Sequence, residues 1–450
     1  MTDDRPRRGL PRAARPFRHG QYRILAFALV MSLFGAGLWL VSMVFEIKDT
    51  LGGGPIEVSY VATANALGLI VATLIGGAIA DRVPQKRILV AIESIKTLAI
   101  GAAAVLAITG NIEIWHLVVV AIVLGLADGF FYPAYSALLP SILPADDLLA
   151  ANGVEGMLRP VVMQALGPAV AGLAIAIAAP AWGFVIVTVA QALAVAGLLW
   201  LTTTPVRREL DETELARHPI TGMFIDIKDG FVYMVRTPWL LGTLLFASVM
   251  VFVIIGPIDV LLPFVAADQA EGGPGGYALV LASFGFGGAI ASLIVASLKL
   301  PRRYLTVMTL AWGVSALPLA VIGYATQLWV IVIAIFIVGA GFSFGSVIWG
   351  TLLQRRVPPA MLGRVSSLDF FVSLVFMPIS MAVAGPLGEL FGFGPVFVVA
   401  GTVPIVLALI TIVAARMPRD EIENPLDQTE DVGVGVAELL DTRPDTQPGG

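Results

Sequence analysis

Leu138 to Glu155 reads LLPSILPADDLLAANGVE, and Leu352 to Asp369 reads LLQRRVPPAMLGRVSSLD. Laid over each other at an offset of 214, they pair Leu138, Leu139, Pro144, Leu148 and Glu155 with Leu352, Leu353, Pro358, Leu362 and Asp369. Ala66 to Lys86 falls in the same way on Ser283 to Arg303 at an offset of 217, with Gly68 on Gly285, Pro84 on Pro301 and Lys86 on Arg303. Gly167-Pro168 falls on Gly385-Pro386 at 218. A nearly constant offset of about half the chain in three regions marks an internal duplication.

Each half is a membrane unit. The 450 residues are 58% hydrophobic and 13% charged, with a mean hydropathy of +0.90, whereas soluble chains carry roughly 25% charged residues. Apolar runs long enough to span a bilayer, ~20 residues each, lie at 23–46, 57–80, 88–109, 115–138, 151–178, 180–201, 239–266, 277–298, 304–324, 328–351, 366–390 and 393–415. The expected fold is an all-α membrane protein of twelve transmembrane helices in two six-helix pseudo-repeats. Like-oriented repeats place a substrate path at their interface and predict alternating access by rocking. No stretch is left for an ATPase module or a soluble catalytic domain, so an enzyme is not expected.

Basic residues test the span count independently, because Lys and Arg concentrate in cytoplasmic loops. Of the 27, all but Lys48, Lys96 and Arg159 fall in the two tails or in the loops after even-numbered spans. That parity predicts an even number of spans with both termini in the cytoplasm. The chain then divides into a basic cytoplasmic tail (1–22), an N-terminal six-helix bundle (23–201), a cytoplasmic linker (202–238), a C-terminal six-helix bundle (239–415) and an acidic tail (416–450) expected to be disordered. Within the linker, Met223 to Met234 has the pattern of an amphipathic interfacial helix. The run from the Arg-rich tail into the first span, with no small-residue cleavage site, reads as an uncleaved span and not a signal peptide.

Other chemistry is excluded. With no Cys, and with His19, His116 and His218 scattered as surface residues, neither a metal centre nor a cofactor is expected. Gly341-Phe342-Ser343-Phe344-Gly345 has the spacing of a hydrolase elbow but sits in an apolar helix with no preceding strand. Gly272-Gly273-Pro274-Gly275-Gly276 lacks the Lys of a phosphate loop, and nothing points to nucleic acid.

The loop after the second span reads Gly77-Ala78-Ile79-Ala80-Asp81-Arg82-Val83-Pro84-Gln85-Lys86-Arg87. It resembles the signature of the major facilitator superfamily, with Pro84 where that motif has its inner Gly. GLADGFFYPAYSALLPSILP at 125–144 and LLQRRVPPAMLGRVSSL at 352–368 are similar to the bacterial drug and macrolide efflux branch, which includes siderophore exporters of the enterobactin type. The resemblance implies that Gly77, Asp81, Arg82, Lys86 and Arg87 form a conformational latch, with Asp81 facing Ser366 and Ser367. It also implies a partial antiporter motif in Gly167, Pro168 and Gly172, and a cavity lined by helices 1, 4, 7 and 10. Asp128 stands in helix 4, which lacks the Arg found there in many family members.

Ionisable residues inside spans are functional candidates, because hydrocarbon makes them expensive. Glu93 and Lys96 (helix 3), Asp128 (helix 4), and Glu155 and Arg159 (helix 5) all fall in the cytoplasmic half of the first bundle. Glu93 with Lys96 is an i, i+3 pair and Glu155 with Arg159 an i, i+4 pair, which leaves Asp128 over. A carboxylate without a dedicated cation can exchange a proton near neutral pH, so Asp128 is expected to be the main proton-coupling site, with Glu93 or Glu155 second, Arg159 competing for it and Lys96 in the same set; the competing reading is a permanent Asp128–Arg159 bridge. Glu46 and Asp259, near the outer ends of helices 1 and 7, read as a solvated rim.

Phe131, Tyr132 and Tyr135 share a face with Asp128, while Phe34, Trp39, Phe342, Phe344 and Trp349 dot helices 1 and 10, suggesting an aromatic substrate cavity. The expectation is a secondary active exporter of lipophilic small molecules in a bacterial plasma membrane. It would work with protons, as a monomer, by rocker-switch alternating access. A lipid flippase of the same fold is the alternative.

Overall fold

The computed structural model describes residues 15–80, 83–202, 231–298, 300–358 and, from 361 to 426, all but 362–364, 366–367, 370 and 373. Eleven helices among them are long and apolar enough to cross a membrane, and a shorter apolar helix completes the expected series. They are α1 (Gly20–Thr50), α2 (Pro55–Ala80), α3 (Gln85–Ile108), α4 (Ile114–Leu138), α5 (Ala145–Leu158 continued through Arg159–Leu166 to Ile177), α6 (Pro180–Trp200), α7 (Pro238–Gln269), α8 (Gly273–Ser297), α9 (Tyr304–Ile322), α10 (Leu328–Arg356), α11 (Met377–Phe391) and α12 (Phe393–Ala414). Residues just before α11 are also helical, and a turn at Phe376 separates them from it. Proline, which has no N–H to lose at a helix start, opens α2, α6 and α7. Gly392, at φ 78°, makes the reversal between α11 and α12 that an L side chain would resist.

The duplication is visible in the packing. In the first half α2 lies against α4, where Gly125 meets the Asn65 carbonyl; in the second, α8 lies against α10, where Gly339 meets the Phe284 carbonyl. Neither site has room for a Cβ, so the backbones touch as small-residue membrane helices do.

Between the halves the packing is lopsided. On the face opposite the chain ends, one buried cluster takes side chains from both halves, among them Phe45, Val58 and Phe184 with Leu261, Tyr277 and Phe397. Gly385 of α11 donates its N–H to Ser59 of α2 at 2.9 Å, Gly172 of α5 packs on Pro274 and Ala278 of α8, and Lys48 of α1 pairs with Asp268 of α7 at 2.7 Å. On the face that carries the chain ends, each half keeps its own core, one around Tyr22, Leu89 and Tyr135, the other around Trp239, Met308 and Leu352. The far face is therefore sealed, and among the described residues the end-bearing face is not.

The acidic tail starts with structure where disorder was expected. Met417–Glu423 forms a short helix, α13, against the start of α9 and the end of α12. Buried Glu421 accepts hydrogen bonds from the Thr306 N–H at 2.7 Å and the Thr306 hydroxyl at 3.0 Å, filling donors left open in the first turn of α9. Arg356 pairs with Asp420 and lies over the Trp239 ring at 4.8 Å. Composition gave no sign of this, since the same acidic residues serve a solvated tail equally well. Residues 1–14 and 427–450, and the expected amphipathic helix up to residue 230, lie outside the described residues; 231–236 are helical.

Glu421→Ala is expected to lower the thermal unfolding midpoint of the purified protein, by about 1–3 kcal/mol of lost capping and buried hydrogen bonds. Glu423→Ala, which removes only an exposed pair with Arg419, is expected to leave the midpoint unchanged. Equal midpoints for the two variants would contradict the role given to Glu421.

Candidate functional site

Polar groups converge where α1, α3, α4 and α5 meet inside the first half. Glu93 and Lys96, one turn apart on α3, point into the bundle and are almost wholly buried. Ser32 of α1 donates its hydroxyl to Glu93 Oε1 at 2.8 Å and accepts from Lys96 Nζ at 3.2 Å. Lys96 Nζ lies 3.3 Å from Glu93 Oε1 and also 3.3 Å from Asp128 Oδ1 on α4. The Glu93 and Lys96 side chains are 1% and 4% exposed, whereas Asp128 is 44% exposed. One buried ammonium thus joins a sealed carboxylate to an accessible one. Glu93 Oε2 has no hydrogen-bond partner among the described residues.

This geometry corrects the expectation that Asp128 lacks a cation of its own. Helical spacing assigned Lys96 to Glu93 alone, but the α3–α4 contact brings Asp128 to the same Nζ. Arg159 is near enough to act electrostatically on Asp128 as well, so the competing reading of an Asp128–Arg159 bridge captures part of the arrangement. Glu155, expected to neutralise Arg159, is also within electrostatic reach of Tyr22 and Tyr135. The helix stays α-helical between the two, and α5 changes to π-helical winding only from Arg159, ahead of Pro160.

Several expected cavity aromatics are core. Tyr135 is 1% exposed, with Phe131 stacked on it at 5.8 Å; Trp39 is buried against Phe184 at 5.3 Å. The Trp349 indole donates to Asp369 at 3.0 Å and meets Trp239 edge-on at 6.1 Å. Phe34 is half-buried, Phe344 packs on the core of the second half, and Phe342 is exposed beside Phe284. The side chain of Tyr132 lies outside the described residues. Aromatic residues seal helix contacts as readily as they line a cavity, and spacing alone does not separate the two.

The helix 5 motif divides its work. Gly167 and Pro168 pack on Gly37 of α1 within the first half, while Gly172 meets α8 of the second. Asp81, Arg82, Ser366, Ser367 and the surroundings of Gly77 lie outside the described residues; Lys86 donates to the Leu199 carbonyl at 3.0 Å, a cation on the last turn of α6, and Arg87 is exposed. No cluster of three metal-ligating side chains occurs among the described residues. Glu46 and Asp259 are not a solvated rim: Glu46 is fully buried, and Asp259 is half-buried beside Tyr277. His19 pairs with Asp147 at 3.1 Å, and His116 closes a capping box with Glu113, so these two have specific partners instead of bulk solvent.

Twelve helices in two matched halves, sealed on one face, are the architecture of a transporter. The transmembrane secretion effector family matches residues 12–443. The chain belongs to the major facilitator superfamily. Among relatives of this facilitator, macrolide efflux protein A of Streptococcus pyogenes is 22% identical over 84% of the chain and 92% of its own length. The multidrug efflux pump Tap of Mycolicibacterium fortuitum is 26% identical over 89% and 97%. The crystal structure of the nucleoside transporter NupG superposes with a TM-score of 0.69 at 14% identity, covering 88% of this chain and 98% of that one, a likeness of fold.

Removing the ammonium from this hub leaves a buried carboxylate uncompensated. Lys96→Met is expected to destabilise the facilitator by on the order of 3–5 kcal/mol, and adding Glu93→Gln is expected to restore most of the loss. Thermal unfolding of the single and double variants measures this coupling. Additive losses would contradict a shared ion pair.

Proposed function

We propose that this facilitator is a secondary exporter that moves lipophilic, preferentially cationic small molecules out of the cytoplasm in exchange for protons. The carrying observation is that Lys96 is held jointly by buried Glu93 and accessible Asp128. When Asp128 takes a proton, Lys96 relaxes onto Glu93 and Ser32. When Asp128 is ionised, a cationic substrate can compete with Lys96 and Arg159 for it. Proton and substrate then occupy the same carboxylate in turn, which is the exclusion an antiporter needs.

The names of the relatives, efflux pumps for macrolides and for multiple drugs, support export. The basic residues gather in the two tails and the loops after even-numbered helices, which supports cytoplasmic termini in a bacterial plasma membrane. In that orientation the sealed face lies outside, and the face where the described residues keep separate cores is turned to the cytoplasm. A single chain contains both halves of the path, which supports a working monomer.

One feature favours the flippase reading. A cleft of about 940 Å³ opens sideways between α2 and α4, lined by Tyr60, Leu67, Val71, Trp115 and Ile122, with Ala382 of α11 beside it. It is apolar and could admit an acyl chain from the bilayer.

In inverted membrane vesicles, an imposed pH gradient, acid inside, is expected to drive uptake of a fluorescent lipophilic cation by the wild type. Asp128→Asn is expected to abolish gradient-driven uptake while retaining gradient-independent exchange. Uptake by the wild type that ignores the pH gradient, with lipid analogues moved instead, would replace the antiport reading with the flippase.

A further inference from the structure

Glu46 and Glu93 are the two acids among the described residues with no exposed surface, and Glu93 has Lys96 beside it. Glu46 begins the π-helical last turn of α1, Glu46–Thr50, is 0% exposed, and among the described residues neither carboxylate oxygen has a hydrogen-bond partner of normal geometry. Its neighbours in sequence, Phe45 and Ile47, belong to the apolar cluster that joins the two halves. An unpartnered carboxylate in such surroundings costs several kcal/mol, whereas the neutral acid costs far less.

The charges nearby are committed elsewhere. Lys48, two residues on, faces away from Glu46 to Asp268 at 2.7 Å and Asp49 at 3.1 Å, with its ammonium over the Phe45 ring. The turn packs on α1 itself, whose remaining ionisable residue before Glu46 is Arg23 at the other end of the helix apart from Tyr22, and on α6, which has no ionisable residue. Thr50, one turn on, is the polar side chain near Glu46, and it carries no charge. On α2, Glu57 accepts from the Gly54 N–H, and Glu389 of α11 lies beside Gly54. Across the seam, Tyr277 of α8 faces Phe45, with Asp259 of α7 next to Tyr277. No cation among these neutralises Glu46.

The same turn holds the seal. Phe45 meets Tyr277 at 6.5 Å and Lys48 pairs with Asp268, so residues on either side of Glu46 make contacts that must separate before the far face can open. Opening would admit water to Glu46 and allow it to ionise. Closing would bury it again.

We infer that Glu46 is a second proton-binding site, on the outer side of the transporter, whose protonation is linked to closure of the outer face. A carboxylate O–H bond forms when external water supplies the proton, and it breaks when the open face rehydrates the group. No other covalent change is involved. In the exchange cycle proposed above, on which the direction of transport rests, this proton would favour the return to the cytoplasm-facing state after substrate has left.

The wild-type chain has no Cys, so paired spin labels can be introduced cleanly. Asn111→Cys and Thr326→Cys place labels on exposed residues of the two halves at the far face. In lipid nanodiscs without substrate, pulsed electron resonance from pH 5 to 9 is expected to show a long-distance population that grows with pH. The open-to-closed ratio should change by up to about tenfold per pH unit, the slope of one linked proton. With Glu46→Gln the short distance is expected at every pH, and Glu46→Met, which needs no hydrogen bond, is expected to behave in the same way.

A wild-type distribution that ignores pH, or a pH profile unchanged in both variants, would overturn the inference. The vesicle assay separates this from the antiport reading. Uptake that ignores the pH gradient alongside a gate that responds through Glu46 removes antiport and keeps the outer site. Gradient-driven uptake with an unchanged gate profile in both variants does the reverse.

Discussion

One constraint governs this molecule: a charge inside an apolar bundle must find its counterpart within the protein. Lys96 meets that constraint twice, with Glu93 behind it and Asp128 in front. Were Lys96 paired to Glu93 alone, the hub would be a static strut. Because the second carboxylate is accessible, neutralising it from outside the bundle changes how the ammonium is shared. The energy scale is large, since breaking a buried pair costs several kcal/mol, and a proton or a cationic ligand can tip the balance.

The hub acts on a scaffold that is already uneven. The far-face cluster draws side chains from both halves, while the cores of the end-bearing face stay separate. Small residues make the far-face seam close, with Gly385 against Ser59 and Gly172 against Pro274, and the Lys48–Asp268 pair lies beside it. Such backbone contacts fit or do not fit, which makes the seam a two-position element and not a graded one. A charge rearrangement in the first half needs only to bias that choice. In the second half, α13 is clasped to α9 through Glu421 and to α10 through the Arg356–Asp420 pair.

Much of this was readable from the residues. The offset that lays α2 on α8 reappears as the matched α2–α4 and α8–α10 pairs, although Gly68 packs on α4 while Gly285 packs on α5 of the other half. The ionisable set was also readable, since apolar spans make each charge conspicuous. Its wiring was not. Helical spacing sees one helix at a time, so it gave Lys96 to Glu93, missed the α3–α4 contact to Asp128, and had no reason to include Ser32. The π-helical turns at Glu46 and Arg159 are likewise invisible to an ideal 3.6-residue period. That is why Glu46 read as a rim residue when the extra-wide turn belongs to a buried seam. Tyr135 and Trp39 read as cavity residues because an aromatic stripe has the same spacing in a core.

In the proposed exchange, Asp128 holds a proton and substrate by turns. The most direct measurement is proton release on ligand binding, with purified protein in weakly buffered detergent solution, a pH-indicator dye and tetraphenylphosphonium as the probe cation. The account predicts that binding expels a proton from the wild type and none from Asp128→Asn. Binding of the same cation to the wild type, seen by calorimetry, with no proton released across pH 6 to 8 would contradict it.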